Sequence, residues 1–170
     1  AEVQEFHRVL VKGMELEEDS KPGELRKINV RIPGNWCAYL PHTKIHQRLS
    51  TLLEVVNEFL RTPKLEIYEI LTVGAIFIEQ FLHIRPFKQG NSRCARLLFC
   101  RLLTRTDFPV PLVSLFKHAT KNYATTRASF YRAVDNCRVS EDLSAREPII
   151  DYVLEAVATS LHDFLWCYAL

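Results

Sequence analysis

The sequence predicts an all-α domain with one small β-hairpin. Apolar residues recur at helical spacing over most of the chain, glycine is scarce (five in 170 residues), and most of the eight prolines lie near the ends of periodic segments. Proline is tolerated at a helix terminus because its missing N–H would have no intrahelical partner there. A chain of this length with 48% hydrophobic residues can bury one core, so we expect a single domain over residues 1–170.

The first elements are a helix, an acidic loop and the hairpin. EVQEFHRVLVKGM has apolar residues at helical spacing, and its Gly13 is placed to end a helix. ELEEDSKPGE follows as a loop. INVRIPGNWCAYLP then combines β-branched residues with a central Pro-Gly-Asn, which is the composition of a short hairpin. No other segment has strand-like character.

From Lys44 onward the periodicity is helical. The predicted helices are IHQRLSTLLEVVNEFL, residues 65–82, residues 92–104, TTRASFYRAVDNC and EPIIDYVLEAVATSLHDFLWCYAL. Glutamates interrupt the most apolar of them, LEIYEILTVGAIFIEQFL, so we expect no membrane span. The chain opens without a signal peptide, and we expect a cytoplasmic location, in its own cell or in a host that receives the protein as a secreted effector.

Cysteine content and charge exclude several classes. Five cysteines without C-x-x-C spacing argue against a disulfide framework and a zinc finger. The net charge of +2 is uninformative, but residues 80–106 contain no acidic side chain and six basic ones. Aromatic residues do not interleave with these charges, so nucleic acid is not an expected partner. The six are Arg85, Lys88, Arg93, Arg96, Arg101 and Arg105.

Within this basic stretch, RPFKQGNS leads into a predicted helix N-terminus. Gly90 allows close approach of the backbone to a ligand, Asn91 tolerates left-handed geometry, and Ser92 is a suitable N-cap. Exposed N–H groups, the helix dipole and the guanidinium groups of Arg93 and Arg96 would favour an anion. The sequence therefore predicts a phosphate-binding loop, although a basic loop can also be ordinary solvated surface.

Histidine offers weaker candidates. His83 lies two residues before Arg85. This offset moves the ring by several ångströms, so His83 is a poor candidate for a catalytic base. His42 and His46 have i,i+4 spacing but lack the glutamate of an H-E-x-x-H zinc site. We predict no metal site there, and we interpret His7 as a structural residue of the first helix.

Residues 85–96 resemble the signature of the Fic (filamentation induced by cAMP), or Fido, family. That signature is H-P-F-x-[D/E]-G-N-G-R-x-x-R, and the chain reads RPFKQGNSRCAR without a gap. EFHRVLVKGM and PGELRKINVRIPG resemble the family's opening helix and its G-x-x-R-x-x-x-V-x-I-x-G segment, and SFYRAVDNC and EPIIDYVLEAV resemble its closing helices. The resemblance covers most of the chain and implies a Fic-type helical domain.

The resemblance also implies a chemistry. Most members transfer AMP from ATP with Mg²⁺ to a hydroxyl of a target protein (AMPylation). The motif His is the base, the acidic residue holds the metal, and the loop with its arginines binds phosphates. A hairpin flap docks the target by strand addition. Some members of the family transfer phosphocholine or phosphate in place of AMP. Here the phosphate-binding positions are Gly90, Asn91, Ser92, Arg93 and Arg96, and the flap positions are Val30, Arg31, Ile32, Pro33 and Gly34.

Three positions depart from the signature, and two of them are the reactive ones. At the third, Ser92 replaces the second Gly, which is tolerable where the backbone is helical. Arg85 replaces the motif His, and a guanidinium cannot accept a proton near neutral pH. Gln89 replaces the acidic metal ligand and offers Mg²⁺ only an amide oxygen. The leading hypothesis is therefore a domain that binds a nucleotide or another phosphorylated ligand but is impaired in ordinary AMP transfer. One alternative is an active transferase that moves AMP or another phosphate-linked group onto a protein hydroxyl by a non-standard mechanism, in which Arg85 stabilises developing charge. The other is an interaction module that docks partners through the flap.

Overall fold

Six α-helices form the part of the chain that the computed structural model describes, which is residues 2–18, 20–31, 39–104, 123–137 and 142–168. In chain order they are α1 (Glu2–Leu10), α2 (Ile45–Phe59), α3 (Ile67–Ile84), α4 (Asn91–Leu103), α5 (Tyr123–Asn136) and α6 (Glu147–Tyr168). Short 3₁₀ turns at His42–Lys44 and Leu143–Arg146 precede α2 and α6. The prediction of an all-α fold is confirmed.

Local sequence signals define the helix ends. Gly13, at φ +80°, follows α1 in the left-handed region, which glycine adopts without steric cost. A capping box opens α3: the Glu66 side chain accepts a backbone N–H at Glu69, and the Glu69 carboxylate accepts the Glu66 N–H at 2.9 Å. These contacts satisfy backbone donors that a helix N-terminus would otherwise leave unpaired.

α3 is the central helix and contacts α2, α4 and α6. Ten of its residues are buried. Gly74 is required at the crossing with α4, because a Cβ atom there would lie 2.4 Å from the fully buried ring of Phe99. By length and composition alone α3 could cross a membrane, but this is weak evidence because the core helix of a globular domain passes the same test.

The predicted hairpin is the part of the fold that the structure does not show. Val30 and Arg31 have no regular secondary structure, and Ile32, Pro33 and Gly34 lie outside the described residues. No strand occurs within the described ranges. The flap therefore stays a prediction.

Candidate functional site

The candidate site is the turn between α3 and α4, residues 85–90, here called the motif loop. α3 ends because Arg85 adopts a left-handed conformation (φ 47°, ψ 63°) while its N–H donates to Phe81 O at 2.9 Å. Pro86 follows and cannot continue the helix. The chain then turns inward, so that Pro86 and Phe87 are both buried.

Asn91 closes the motif loop from inside. It is 4% exposed, its Oδ1 accepts the Phe87 N–H at 2.9 Å, and its Nδ2 donates to Phe87 O at 2.7 Å. Asn91 is the first helical residue of α4, so the left-handed geometry that asparagine tolerates is not used there. Because both side-chain polar atoms bind Phe87, a contribution of Asn91 to anion binding would come from its backbone N–H.

The left-handed residue is Gly90, at φ +77°, and it is also the N-cap of α4. Ser92 is therefore not the N-cap, contrary to the sequence prediction. A Cβ atom at Gly90 would lie 3.0 Å from His7 Nε2 and 3.1 Å from Val11 Cγ1. The close approach that requires glycine here is thus to α1 and the residue just beyond it.

His7 joins three segments. Its Nδ1 accepts the Gly23 N–H at 2.9 Å, so Nε2 carries the proton and donates to Gln89 O at 3.0 Å. The fully buried imidazole stacks on Phe87 with ring centroids 3.7 Å apart. Burial lowers the pKa of His7. The neutral ring is a structural residue, as the sequence suggested.

Arg26 binds the backbone carbonyl groups at the end of α3. This residue is 5% exposed, and its backbone N–H donates to Pro86 O at 2.9 Å. Its guanidinium donates to four carbonyl oxygens, which belong to Arg85 (2.7 Å), Ile28 (2.6 Å), Ile84 (3.2 Å) and Leu40. Desolvation, followed by the charge of Arg85, lowers the pKa of Arg26. Arg26 thus joins the motif loop to both ends of the segment in which the flap is predicted.

Arg85, at the motif His position, is held beside Tyr39. Its guanidinium carbon lies 5.1 Å from the centroid of the buried Tyr39 ring, within cation–π range. Within the described ranges, its buried Nε–H has no hydrogen-bond partner. A permanently protonated group in this place can attract an anion and cannot remove a proton.

Gln89, at the metal-ligand position, binds Glu17. Its Oε1 accepts the Glu17 N–H at 3.0 Å, and its Nε2 donates to Glu17 Oε1 at 2.9 Å. Lys88 Nζ lies 3.5 Å from the other carboxylate oxygen. Glu17 is not predictable from the sequence, because nothing in the acidic loop indicates which of its glutamates reaches residue 89.

These residues do not fit a resident Mg²⁺ ion. Magnesium is bound through one or two carboxylates together with phosphate oxygens and water. The signature position of the acidic ligand carries the neutral Gln89, whose amide oxygen already accepts the Glu17 N–H at 3.0 Å. Over the described part of the chain, no group of three or more His, Cys, Asp or Glu side chains could hold a metal.

The first two turns of α4 carry the remaining predicted residues. Arg93 is exposed, and its Nη1 donates to Met14 Sδ at 2.9 Å. Arg96 is half-buried, and its Nε donates to Ser92 O at 3.2 Å. The Ser92 hydroxyl lies 3.0 Å from the Tyr131 hydroxyl of α5. The two guanidinium groups thus originate from the first and second turns of a helix, close to the N-terminus where backbone N–H groups also favour anions.

Comparisons with known proteins show similarity to one family. The sequence model of the Fic/DOC family matches residues 1–103. A protein adenylyltransferase Fic of Aedes aegypti is 25% identical over 118 residues, which are 69% of this chain and 21% of that protein. A second, from Culex quinquefasciatus, is 25% identical over 85% of this chain and 25% of its own length. The chain therefore spans about a fifth to a quarter of these curated relatives.

Solved structures share the fold. A Fic domain containing signaling protein from Bacteroides thetaiotaomicron has a TM-score of 0.70 at 17% identity, over 94% of this chain and 59% of that one. Residues 134–508 of Fic-1 from C. elegans give a TM-score of 0.68 at 19% identity, over 98% of this chain and 43% of that one. At these identities the likeness shows the fold alone.

The lowered pKa of His7 predicts that the stability of the protein depends on pH. The pKa of His7 is lower in the folded protein than in the unfolded chain. Below about pH 6.5 the unfolded chain therefore binds more protons than the folded protein, and the free energy of unfolding falls as the pH drops from that value towards the native pKa. We expect thermal unfolding to show this loss in the native protein and not in His7→Phe, which keeps a ring stacked on Phe87. At pH 7.5 the variant should be less stable by about 1–3 kcal/mol, because it leaves two backbone groups unpaired.

His46→Gln is the control, since His46 is exposed. An equal pH slope in the native protein and in His7→Phe would contradict the role of His7.

Proposed function

Because the chain belongs to the Fic/DOC family, we propose that it binds a nucleotide or another phosphorylated ligand at the motif loop and is impaired in ordinary AMP transfer. The proposal places the ligand phosphates at Gly90 to Arg96, here called the cradle. One observation supports it most directly. Arg85 lies over the Tyr39 ring and Gln89 is hydrogen-bonded to Glu17, whereas Arg93 and Arg96 lie near the N-terminus of α4.

Support for phosphate binding comes from the donors of the cradle. The left-handed Gly90 begins α4, so the first backbone N–H groups of the helix face the loop side. Arg93 and Arg96 add planar donors that suit phosphate oxygens in pairs. Gly90 and Asn91 contribute backbone groups, and Ser92 adds a hydroxyl next to that of Tyr131.

Impairment follows from Arg85 and Gln89. General-base catalysis contributes roughly two to four decades in rate, and a guanidinium over Tyr39 cannot supply it. The Gln89 side chain faces Glu17 rather than lying free to help hold a metal with the phosphates. The curated relatives bear the name protein adenylyltransferase Fic, and this chain keeps the binding part of that machinery without the reactive part.

A second candidate is transfer by a different mechanism. The buried Arg85 Nε–H, which lacks a hydrogen-bond partner within the described residues, favours it. A donor in this position could stabilise negative charge that develops on a transferred phosphoryl group, while the substrate supplies the base. A target would dock at the predicted flap, whose two ends Arg26 holds against the motif loop.

Calorimetry with ATP tests ligand binding. We expect Arg96→Ala to weaken ATP binding about tenfold or more, because a hydrogen-bonded charge pair with phosphate is lost. Arg101→Ala is the matched control, since it removes an arginine from the last turn of the same helix, where Arg101 pairs with Glu2 at 3.3 Å. Equal losses in both variants would show that net charge, and not the cradle, governs binding.

Reversion tests the impairment. The native protein, incubated with labelled ATP, Mg²⁺ and a cell lysate, should label proteins weakly or not at all, and Arg85→His with Gln89→Asp should label them. Each single reversion should stay low, because the base and the metal ligand are both needed. Strong labelling by the native protein that Arg93→Ala abolishes would contradict the impairment and favour the second candidate.

A further inference from the structure

The acidic segment Met14–Glu18 lies along the motif loop. Arg93 Nη1 donates to Met14 Sδ at 2.9 Å, and the Glu17 N–H donates to Gln89 Oε1 at 3.0 Å. Gly13, in the left-handed region, precedes the segment. Met14 and Glu17 thus connect this segment to the first turn of α4 and to the motif loop.

The Glu17 carboxylate is bound as an anion would be. One oxygen accepts from Gln89 Nε2 at 2.9 Å, and the other lies 3.5 Å from Lys88 Nζ. The Lys88 side chain is only 20% exposed, so its ammonium is held close to the loop surface, whereas the Glu17 side chain is 58% exposed. An amide N–H and an ammonium directed at two oxygens of one group also suit phosphate.

We propose that Lys88 and the Gln89 side chain form an anion subsite beside the cradle, and that the Glu17 carboxylate occupies it until a phosphate of the ligand displaces it. This inference rests on the proposed function, because it assumes a phosphorylated ligand in the cradle. It gives Gln89 a role of its own, since a neutral amide can donate to a phosphate oxygen and the acidic residue of the family signature cannot.

Exchange of carboxylate for phosphate is physically favourable. The Glu17 side chain is 58% exposed, and its carboxylate lies 3.5 Å from Lys88 Nζ; because solvent screens an ion pair with one exposed partner, a competing anion can displace it. A phosphate carries more charge than a carboxylate and has three acceptor oxygens. A polyphosphate chain that is already bound at Arg93 and Arg96 would also present its next phosphate at high effective concentration.

Calorimetric titration of the native chain and its variants with ATP tests this subsite, once in EDTA and once in Mg²⁺. Glu17→Gln keeps the size of the side chain and its backbone N–H but removes the charge. We expect it to bind ATP about two- to fivefold more tightly than the native protein in EDTA, because the competing carboxylate is gone. Glu18→Gln, which removes the same charge from the next residue, should change the affinity much less.

Lys88→Met completes the cycle. It should weaken ATP binding on its own. In the Lys88→Met background, adding Glu17→Gln should not increase the affinity for ATP, because without Lys88 the Glu17 carboxylate no longer competes with a phosphate. Melting curves of each variant establish that it is folded, and all three positions lie at or near the surface.

The outcomes separate this inference from the proposed function. Equal affinities of the native protein and Glu17→Gln, or equal gains in Glu17→Gln and Glu18→Gln, would overturn the subsite and leave ligand binding in place. A loss of affinity in Glu17→Gln only when Mg²⁺ is present would overturn it as well, and would make Glu17 a metal ligand. Absence of ATP binding in every variant would overturn the proposed function and this inference together.

Discussion

A buried guanidinium determines the geometry of the site. Arg26 directs its donors at four backbone carbonyl oxygens, two at the end of α3 and two at the ends of the segment where the flap is predicted. Carbonyls at a helix C-terminus have no intrahelical partners, and a buried cation needs acceptors. The Arg26 guanidinium and the carbonyl groups therefore supply each other's hydrogen-bond partners, and these contacts fix the position of the motif loop.

His7 and Asn91 fix the same loop from other directions. Asn91 binds both backbone polar groups of Phe87, and His7 stacks on its ring while donating to Gln89 O. None of these contacts uses Arg85, Arg93 or Arg96. The loop can therefore keep its shape while residues 85 and 89 differ from the family signature, which is compatible with the proposed phosphate binding in the absence of the usual base and metal ligand.

The sequence predicted the helices well, because their apolar residues recur at helical spacing and Gly or Pro lies near their ends. It also located the motif loop, since Gly90 and the arginines follow a family pattern. Local rules failed within the turn itself: Ser92 is a good N-cap by composition, but the tertiary contact of Gly90 with His7 starts the helix earlier. Arg26 is the arginine of the family's G-x-x-R-x-x-x-V-x-I-x-G pattern, although the pattern does not say which groups it binds. Glu17 and Tyr131 reach the site from far along the chain, and no local pattern reports such contacts.

The central claim is that a phosphorylated ligand binds at the N-terminus of α4 although the reactive positions are altered. Backbone amide NMR of the ¹⁵N-labelled chain during titration with ATP tests it most directly. The account predicts saturable shift changes that are largest for the amides of Gly90 to Arg96 and that need about tenfold more ATP in Arg96→Ala. Saturable changes centred on another surface, or no changes at millimolar ATP, would contradict it.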